Sequence, residues 1–257
     1  MRTSSTAKQP DISVLVPVMN EAGNIRPLID EIIEAFAGRD IEIIYINDAS
    51  TDGTADELAA AQLDIASLKV LHHQHRAGQS AALRTGLSHA SADLIAVLDG
   101  DGQNVPADFP LLEEALQNIR PALGMAGGVR QNRKDSWMRR RASAFARMMR
   151  RRLLNDSHPD SGCGLKIVDK AIFDRLPYFN HMHRFMPSLV RGEGGEVLAV
   201  PVSHRMRGAG QSKYGNLDRL LVGISDMFGV IWLLKRRART GHITIDQPLK
   251  HRKKSNA

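Results

Sequence analysis

Two carboxylates separated by one glycine, Asp99 and Asp101, end the short apolar run of residues 95–98, and Gln103 follows two positions later. A short apolar run bounded by turn residues reads as a buried strand. The strand cannot continue through two charges, because burying an unpaired carboxylate costs on the order of several kcal/mol. The pair therefore belongs at the strand's carboxyl end, where open α/β sheets bind their ligands. Asp-x-Asp places its oxygens on a single turn, which suits a hard divalent cation that also holds substrate phosphates. Taken alone, Asp-Gly-Asp also fits a hairpin turn. An EF-hand is excluded by spacing: counted from Asp99, the sixth position is Asn104 instead of glycine and the twelfth is Pro110 instead of glutamate.

Two more polar clusters decide between turn and site. Residues 12–16 read as a first strand, stopped by Pro17 and followed by Met19, Asn20 and Glu21. Residues 41–46 read as a second strand that runs into Asn47, Asp48 and Ser50. In a parallel sheet the three strand ends emerge at one edge and line one crevice. No glycine loop of phosphate-binding type accompanies them: Gly208-Ala-Gly-Gln-Ser-Lys213 lacks GxxxxGK spacing, and no GxGxxG follows the first strand. Phosphate in this crevice would be neutralised by metal and by Arg and Lys. Arg207 and Lys213, set among Gly208, Gly210 and Ser212, have the composition of a mobile phosphate flap.

The elements that must position these groups follow from periodicity. Asn20 and Glu21 open a predicted helix with Ile25, Leu28, Ile29, Ile32, Ile33 and Phe36 at i, i+3, i+4 spacing. The polar turn 47–53 caps a helix carrying Leu58, and residues 68–71 form a third strand. The next helix carries Gly78, Ala82 and Gly86, a small-residue stripe that lets it lie close to a sheet. A helix after Pro106 and a strand over 125–129 continue the alternation. This predicts an α/β fold, a mostly parallel sheet covered by helices on both faces. Short strands at 165–168 and 197–202 look like additions to the sheet. Residues 137–154 fit a helix with Ala142, Phe145, Ala146, Met149 and Leu153 on one face and arginines around the rest. Residues 217–234 form an apolar helix interrupted by Gly223, Asp226 and Gly229. A membrane span needs about 20 mainly apolar residues; this run is shorter and charged, so it is expected on the domain or in the membrane interface. The expected organisation is a tail over 1–10 without a secretory signal, one domain over 11–215, an amphipathic helix and basic segment over 216–240, and a basic tail over 241–257.

Hydrophobic residues make up 42% of the chain, enough for a core, and the single cysteine, Cys163, excludes an internal disulfide. The net charge of +7 is unevenly spread. Residues 130–152 hold ten Arg and Lys against Asp135, and residues 235–257 hold eight against Asp246, leaving about −9 for everything else. Such basic stretches meet a membrane surface or a polyanion.

The ordered segments ISVLVPVMNE, EIIYINDASTDGT, GQSAALRTG, ADLIAVLDGDGQ, SGCGLKI and RMRGAGQSKYG resemble family 2 glycosyltransferases of GT-A fold over about residues 11–235. Within them they are similar to the dolichol-phosphate mannose synthase branch, which moves a sugar from a nucleotide to a polyprenyl phosphate. The resemblance implies nucleotide contacts at Pro17, Met19 (in place of the frequent Tyr), Glu21, Ile46 and Asp48, with Asn47 standing where the family has its first Asp. It implies a Mg2+ or Mn2+ and diphosphate site at Asp99, Asp101 and Gln103. Arg130, Arg207 and Lys213 are implied on the donor phosphates, and Arg139 and Ser143 on the acceptor phosphate. A diphosphate leaving group needs a metal and cations for its developing charge. A phosphate monoester acceptor is already anionic near neutral pH, since its second pKa is about 6, and needs orientation more than a base. Arginine can give it that bidentately. The reading is single displacement with inversion, and one sugar per turnover because the processive QxxRW motif is absent. GDP-mannose is the favoured donor, with UDP-sugars and a cell-envelope glycan acceptor as the alternative. The protein is expected at the cytoplasmic face of a membrane, bound peripherally.

Other chemistries fit less well. His72 and His73 point to opposite faces if they are adjacent in a strand, so with His75 they make a poor metal site. Cys163 has no partner cysteine and reads as structural. A nucleic-acid-binding protein is the alternative from another class, but aromatic residues are only 5% and no nucleic-acid motif appears, so no nucleic-acid partner is expected.

Overall fold

The computed structural model describes residues 9–131, 148, 152–154, 158–205 and 216–237. Seven strands form one sheet: β1 (Ile12–Val18), β2 (Ile41–Asn47), β3 (Leu68–His72), β4 (Leu94–Val97), β5 (Gly124–Arg130), β6 (Lys166–Asp169) and β7 (Glu196–Val202). Their order is β3-β2-β1-β4-β6-β5-β7. All run parallel except β6, which is antiparallel to both neighbours.

Helices α1 (Ile25–Ala35), α2 (Thr54–Asp64) and α4 (Phe109–Gln117) cover one face; α3 (Gln79–His89), α5 (Lys170–Phe173) and α6 (Met186–Gly192) cover the other. A long helix, α7 (Asn216–Arg236), packs on that second layer through Val230. The strand period of two builds both layers at once. Val14 and Val16 enter the first core with Leu28 and Phe109, while Leu15 between them enters the second with Leu83. Gly86 allows the close helix–sheet approach its spacing suggested, since a Cβ there would lie 2.8 Å from Ile46 Cδ1.

The structure refines the sequence reading at three points, each with a physical cause. Strand β6 joins the sheet as expected, and its place is between β4 and β5, which puts the segment preceding it beside the Asp99 turn. Helix α1 begins at Ile25 and not at Asn20, because the backbone of the 20–21 turn bonds elsewhere. Asn20 N donates to Ser50 Oγ (2.9 Å) and Glu21 N to Thr54 Oγ1 (2.9 Å), so the first two polar clusters interlock. Finally, Leu154 is buried in the second core while Leu153 is 40% exposed, so Leu154 and not Leu153 carries the buried face. The rest of the expected 137–154 helix lies outside the described residues, apart from helical positions at Met148 and 152–154. Helix α7 runs through Gly223, Asp226 and Gly229 without a break.

Candidate active site

The three polar clusters meet at the carboxyl edge of the sheet. Asp48 N donates to Val18 O (2.9 Å) and Leu98 N to Leu15 O (3.1 Å), which carries the β1 pairing past both neighbouring strand ends. A Cβ on Gly100 would overlap Val18 and lie 3.2 Å from Pro17 O, so only glycine lets the Asp99 turn sit against the end of β1. Pro17 and Met19 are half-buried there, and Glu21 is buried, accepting from Asn24 Nδ2 at 3.1 Å.

Asp48 connects this edge to α3. Its two oxygens accept from Ala77 N and Gly78 N, each at 2.8 Å, and His73 Nδ1 lies 2.8 Å from Oδ1. Burial works against the charge, but these hydrogen bonds outweigh it and hold the Asp48 carboxyl below the usual range. The next residue, Gln79, donates from Nε2 to Asp99 Oδ1 at 2.8 Å. A continuous chain of contacts thus runs from Asp48 through the start of α3 to Asp99. Ile46 is fully buried against Gly86, so its side chain belongs to the core and does not line the crevice. Asn47 accepts from Ser50 N (3.0 Å) and its Nδ2 lies 3.2 Å from His72 Nδ1.

Asp99 is half-buried. A Cβ on Gly164, in the segment leading into β6, would overlap its carboxylate and lie 2.7 Å from Asn104 Nδ2. Burial is the largest influence and pushes the Asp99 carboxyl up, with Asp101 adding to it; Lys166, Gln79 and Arg130 act in the opposite direction. Lys166 is buried on β6, its Nζ donating to Cys163 O, and burial lowers its pKa despite Asp99. Asp101 Oδ1 accepts from Gln103 N at 3.1 Å. Arg205 N donates to Gln103 O at 3.0 Å and its guanidinium to Gly102 O, while Arg205 Nη2 reaches Glu31 Oε2 at 2.8 Å. Arg130, at the end of β5, makes a bidentate pair with Asp160 at 2.7 and 2.8 Å, and this pairing raises its pKa.

Two side chains at this edge carried no individual signal in the sequence besides Gln79 and Lys166. His183 Nδ1 lies 2.9 Å from Ser80 Oγ on α3, and burial drops its pKa to about 3, so it is neutral at physiological pH. Asn180 Oδ1 would lie 3.6 Å from a Cβ on Gly78. The 180–183 turn therefore walls the start of α3, which its run of polar and aromatic residues did not announce. Arg139, Ser143, Arg207 and Lys213 lie outside the described residues.

The donor set fits a divalent cation. Two repelling carboxylates sit on one turn, the inner one half-buried against Gly164, where only glycine fits. Among the described residues no cluster of three or more His, Cys, Asp or Glu could hold a metal. A cation at Asp99 and Asp101 would thus share its coordination with Gln103, water and substrate phosphate, as Mg2+ commonly does.

The model of the family named Glycosyl transferase family 2 matches residues 13–176. The dodecaprenyl-phosphate galacturonate synthase of Rhizobium johnstonii is 32% identical over 249 residues, 93% of this chain and 72% of that protein. The undecaprenyl-phosphate 4-deoxy-4-formamido-L-arabinose transferase of Edwardsiella ictaluri is 32% identical over 207 residues, 79% of this chain but only 63% of its own length. Among solved structures, glucosyl-3-phosphoglycerate synthase from Mycobacterium tuberculosis, in complex with Mn2+, UDP-glucose and glycerol 3-phosphate, has a TM-score of 0.66 at 18% identity, covering 88% of this chain and 80% of that one. A mannosyltransferase from Pyrobaculum calidifontis in complex with GDP-Man and Mn2+ has a TM-score of 0.61 at 18% identity, covering 91% and 66%. These two likenesses concern the fold.

Proposed function

The chain belongs to glycosyl transferase family 2, and on that premise we propose that it transfers one sugar, with inversion, from a nucleotide-sugar to a polyprenyl phosphate at a membrane surface. The observation that carries the reading is the half-buried Asp99 beside Asp101, tied through Gln79 and the start of α3 to Asp48 at the same sheet edge. That edge is where a nucleotide and its diphosphate bind in an open α/β sheet. Pro17, Met19, Glu21 and Asp48 hold the nucleoside end. Asp99, Asp101 and Gln103 hold a Mg2+ or Mn2+, which when bound neutralises the diphosphate as it leaves. Arg130 is fixed by Asp160 and stands by as a positioned cation, and Arg207 and Lys213 close on the phosphates. Arg205 is bonded to Gly102 and Gln103, so the chain reaches the Asp101 turn two residues before Arg207.

In the reaction an oxygen of the acceptor phosphate attacks the anomeric carbon as the bond to the nucleoside diphosphate breaks. The acceptor is already ionised, so no base takes part; Arg139 and Ser143 orient it. The relatives' names favour galacturonate or 4-deoxy-4-formamido-L-arabinose as the sugar, and GDP-mannose is tested beside them. The protein acts at the cytoplasmic face without a nucleic-acid partner.

The test is a donor screen that measures nucleoside diphosphate release with a short-chain polyprenyl phosphate and with the corresponding free polyprenol. Turnover is expected with the phosphate only, and excess chelator or Asp101→Ala is expected to lower it more than tenfold. Equal turnover of the alcohol, or full activity in chelator, would sink the corresponding part of the reading.

A further inference from the structure

A hollow of about 470 Å3 lies where the last turns of α7 cross the ends of α5 and α6. Glu193, on its wall, precedes β7 by three residues, so the hollow sits at the opposite edge of the sheet from Asp99. Leu189, Leu234 and Trp232 give it an apolar lining, and Arg175, Arg236 and Arg237 give it positive charge. Arg237 Nη2 pairs with Glu193, but its buried Nη1 has no hydrogen-bond partner among the described residues. Arg175 and Arg236 make no ion pair among the described residues. Among the described residues, two guanidinium charges are thus left without a counter-charge beside an apolar hollow. Trp232 is 63% exposed, and so is Phe228 one helical turn earlier, so the apolar lining continues out along α7.

Water satisfies the guanidinium groups but not the apolar walls, and a small soluble anion has the same shortcoming. A ligand with a phosphate head and a hydrocarbon body satisfies both. The chain's own C-terminal residues are a poor occupant on charge: residues 238–257 carry five Arg and Lys against Asp246, the same sign as the hollow. We propose that this hollow binds one anionic phospholipid, with its phosphate on Arg175 and Arg236 and its acyl chain against Leu189, Trp232 and Leu234. The proposal sharpens the membrane contact of the function above into a built site and is independent of the sugar transferred.

The probe is a monomeric lipid, so the outcome does not depend on vesicle binding or on turnover. In the full chain carrying Trp137→Phe, Trp232 is the sole tryptophan. Its fluorescence is followed during titration with dihexanoyl-phosphatidylglycerol below micelle formation, with dihexanoyl-phosphatidylcholine, and with glycerol 3-phosphate. The expected result is a saturable blue shift with phosphatidylglycerol, at least tenfold weaker affinity for phosphatidylcholine, and no shift with glycerol 3-phosphate. Arg175→Gln with Arg236→Gln should weaken phosphatidylglycerol binding at least tenfold while nucleotide-sugar binding and the melting temperature stay unchanged. Equal affinity for both lipids would reduce the hollow to an apolar groove, and saturation by glycerol 3-phosphate would make it a simple anion site; either overturns the proposal. So does the lack of any saturable shift in protein that still melts cooperatively and binds donor.

Discussion

Gly164 is where the backbone leading into β6 comes against the carboxylate at the end of β4. A methyl group there overlaps Asp99 and crowds Asn104, and neither can retreat into a packed interior. Gly164→Ala should therefore displace Asp99 from the Asp101 turn, at a stability cost of about 1–3 kcal/mol. Turnover should fall more than tenfold, with a higher metal concentration needed for half-maximal rate; unchanged metal dependence would show that Asp99 is not held by this contact. Asp48 makes a second residue-scale prediction. Its folded pKa is depressed, so its stabilising contribution is present above the unfolded value of about 3.9 and is lost as pH falls through the folded pKa. Asp48→Asn should cost about 2 kcal/mol at pH 7, because hydrogen bonds to a charged acceptor become neutral ones. It should also flatten the decline of melting temperature below about pH 4. A variant that melts like the parent at every pH would mean that Ala77, Gly78 and His73 find other partners. Asp99, Asp101 and Asp48 were legible in the sequence because each follows an apolar run, whereas Gly164, Gln79 and Lys166 were not. Their importance comes from contacts across the fold, such as Gln79 on Asp99, that no local period encodes.

At the scale of elements, strands and amphipathic helices were legible wherever burial imposes a period. The α1 stripe is an example, with Ile25, Leu28, Ile29 and Ile32 all buried. Its starting point was not, because tertiary hydrogen bonds from the β2–α2 loop took the groups that local capping would have used. The position of β6 was equally hidden: a four-residue strand carries no mark of its neighbours or direction. Helix α7 divides into two faces that can be tested separately. Val230 is buried in the second core, and His181 Nδ1 meets Asp226 Oδ2 at 3.0 Å, so one face docks the helix. Phe228 and Trp232 lie on the other, exposed face. Val230→Ala should lower unfolding stability by about 1–2 kcal/mol in denaturant titrations. Phe228→Ser should leave stability within about 0.5 kcal/mol yet weaken binding to anionic vesicles. The reverse pattern, a stable Val230 variant and an unstable Phe228 variant, would mean that the faces are exchanged in solution.

Across the whole molecule the charge asymmetry acquires a direction. Leu154, two residues after Arg152, and Val230, five residues before Lys235, both enter the second core, so the described basic residues Arg152, Lys235, Arg236 and Arg237 adjoin the same side of the sheet. The opposite layer is acidic, with Asp30, Glu31 and Glu34 on α1 and Asp56, Glu57 and Asp64 on α2. Helix α7 is about 31 Å long and lies along the basic side from the Asp226 contact near the crevice to Arg236 at the far edge. No described helix is long and apolar enough to cross a membrane. On the proposed function, a bilayer with anionic headgroups would attract this side and repel the other, bringing the crevice to the headgroup plane where a polyprenyl phosphate presents its anion. Each Lys or Arg near such a surface contributes about 1 kcal/mol, and the effect fades over a Debye length of about 8 Å at physiological salt. Sedimentation with phosphatidylglycerol vesicles should therefore be strong, weak with phosphatidylcholine, and largely reversed by about 1 M salt, where the Debye length is about 3 Å. Replacing Arg150, Arg151 and Arg152 with Ser should weaken vesicle binding and leave donor binding in solution intact. Salt-resistant retention that demands detergent would mean an inserted segment in place of surface attraction, and tighter binding to RNA than to anionic vesicles would assign the basic side to nucleic acid.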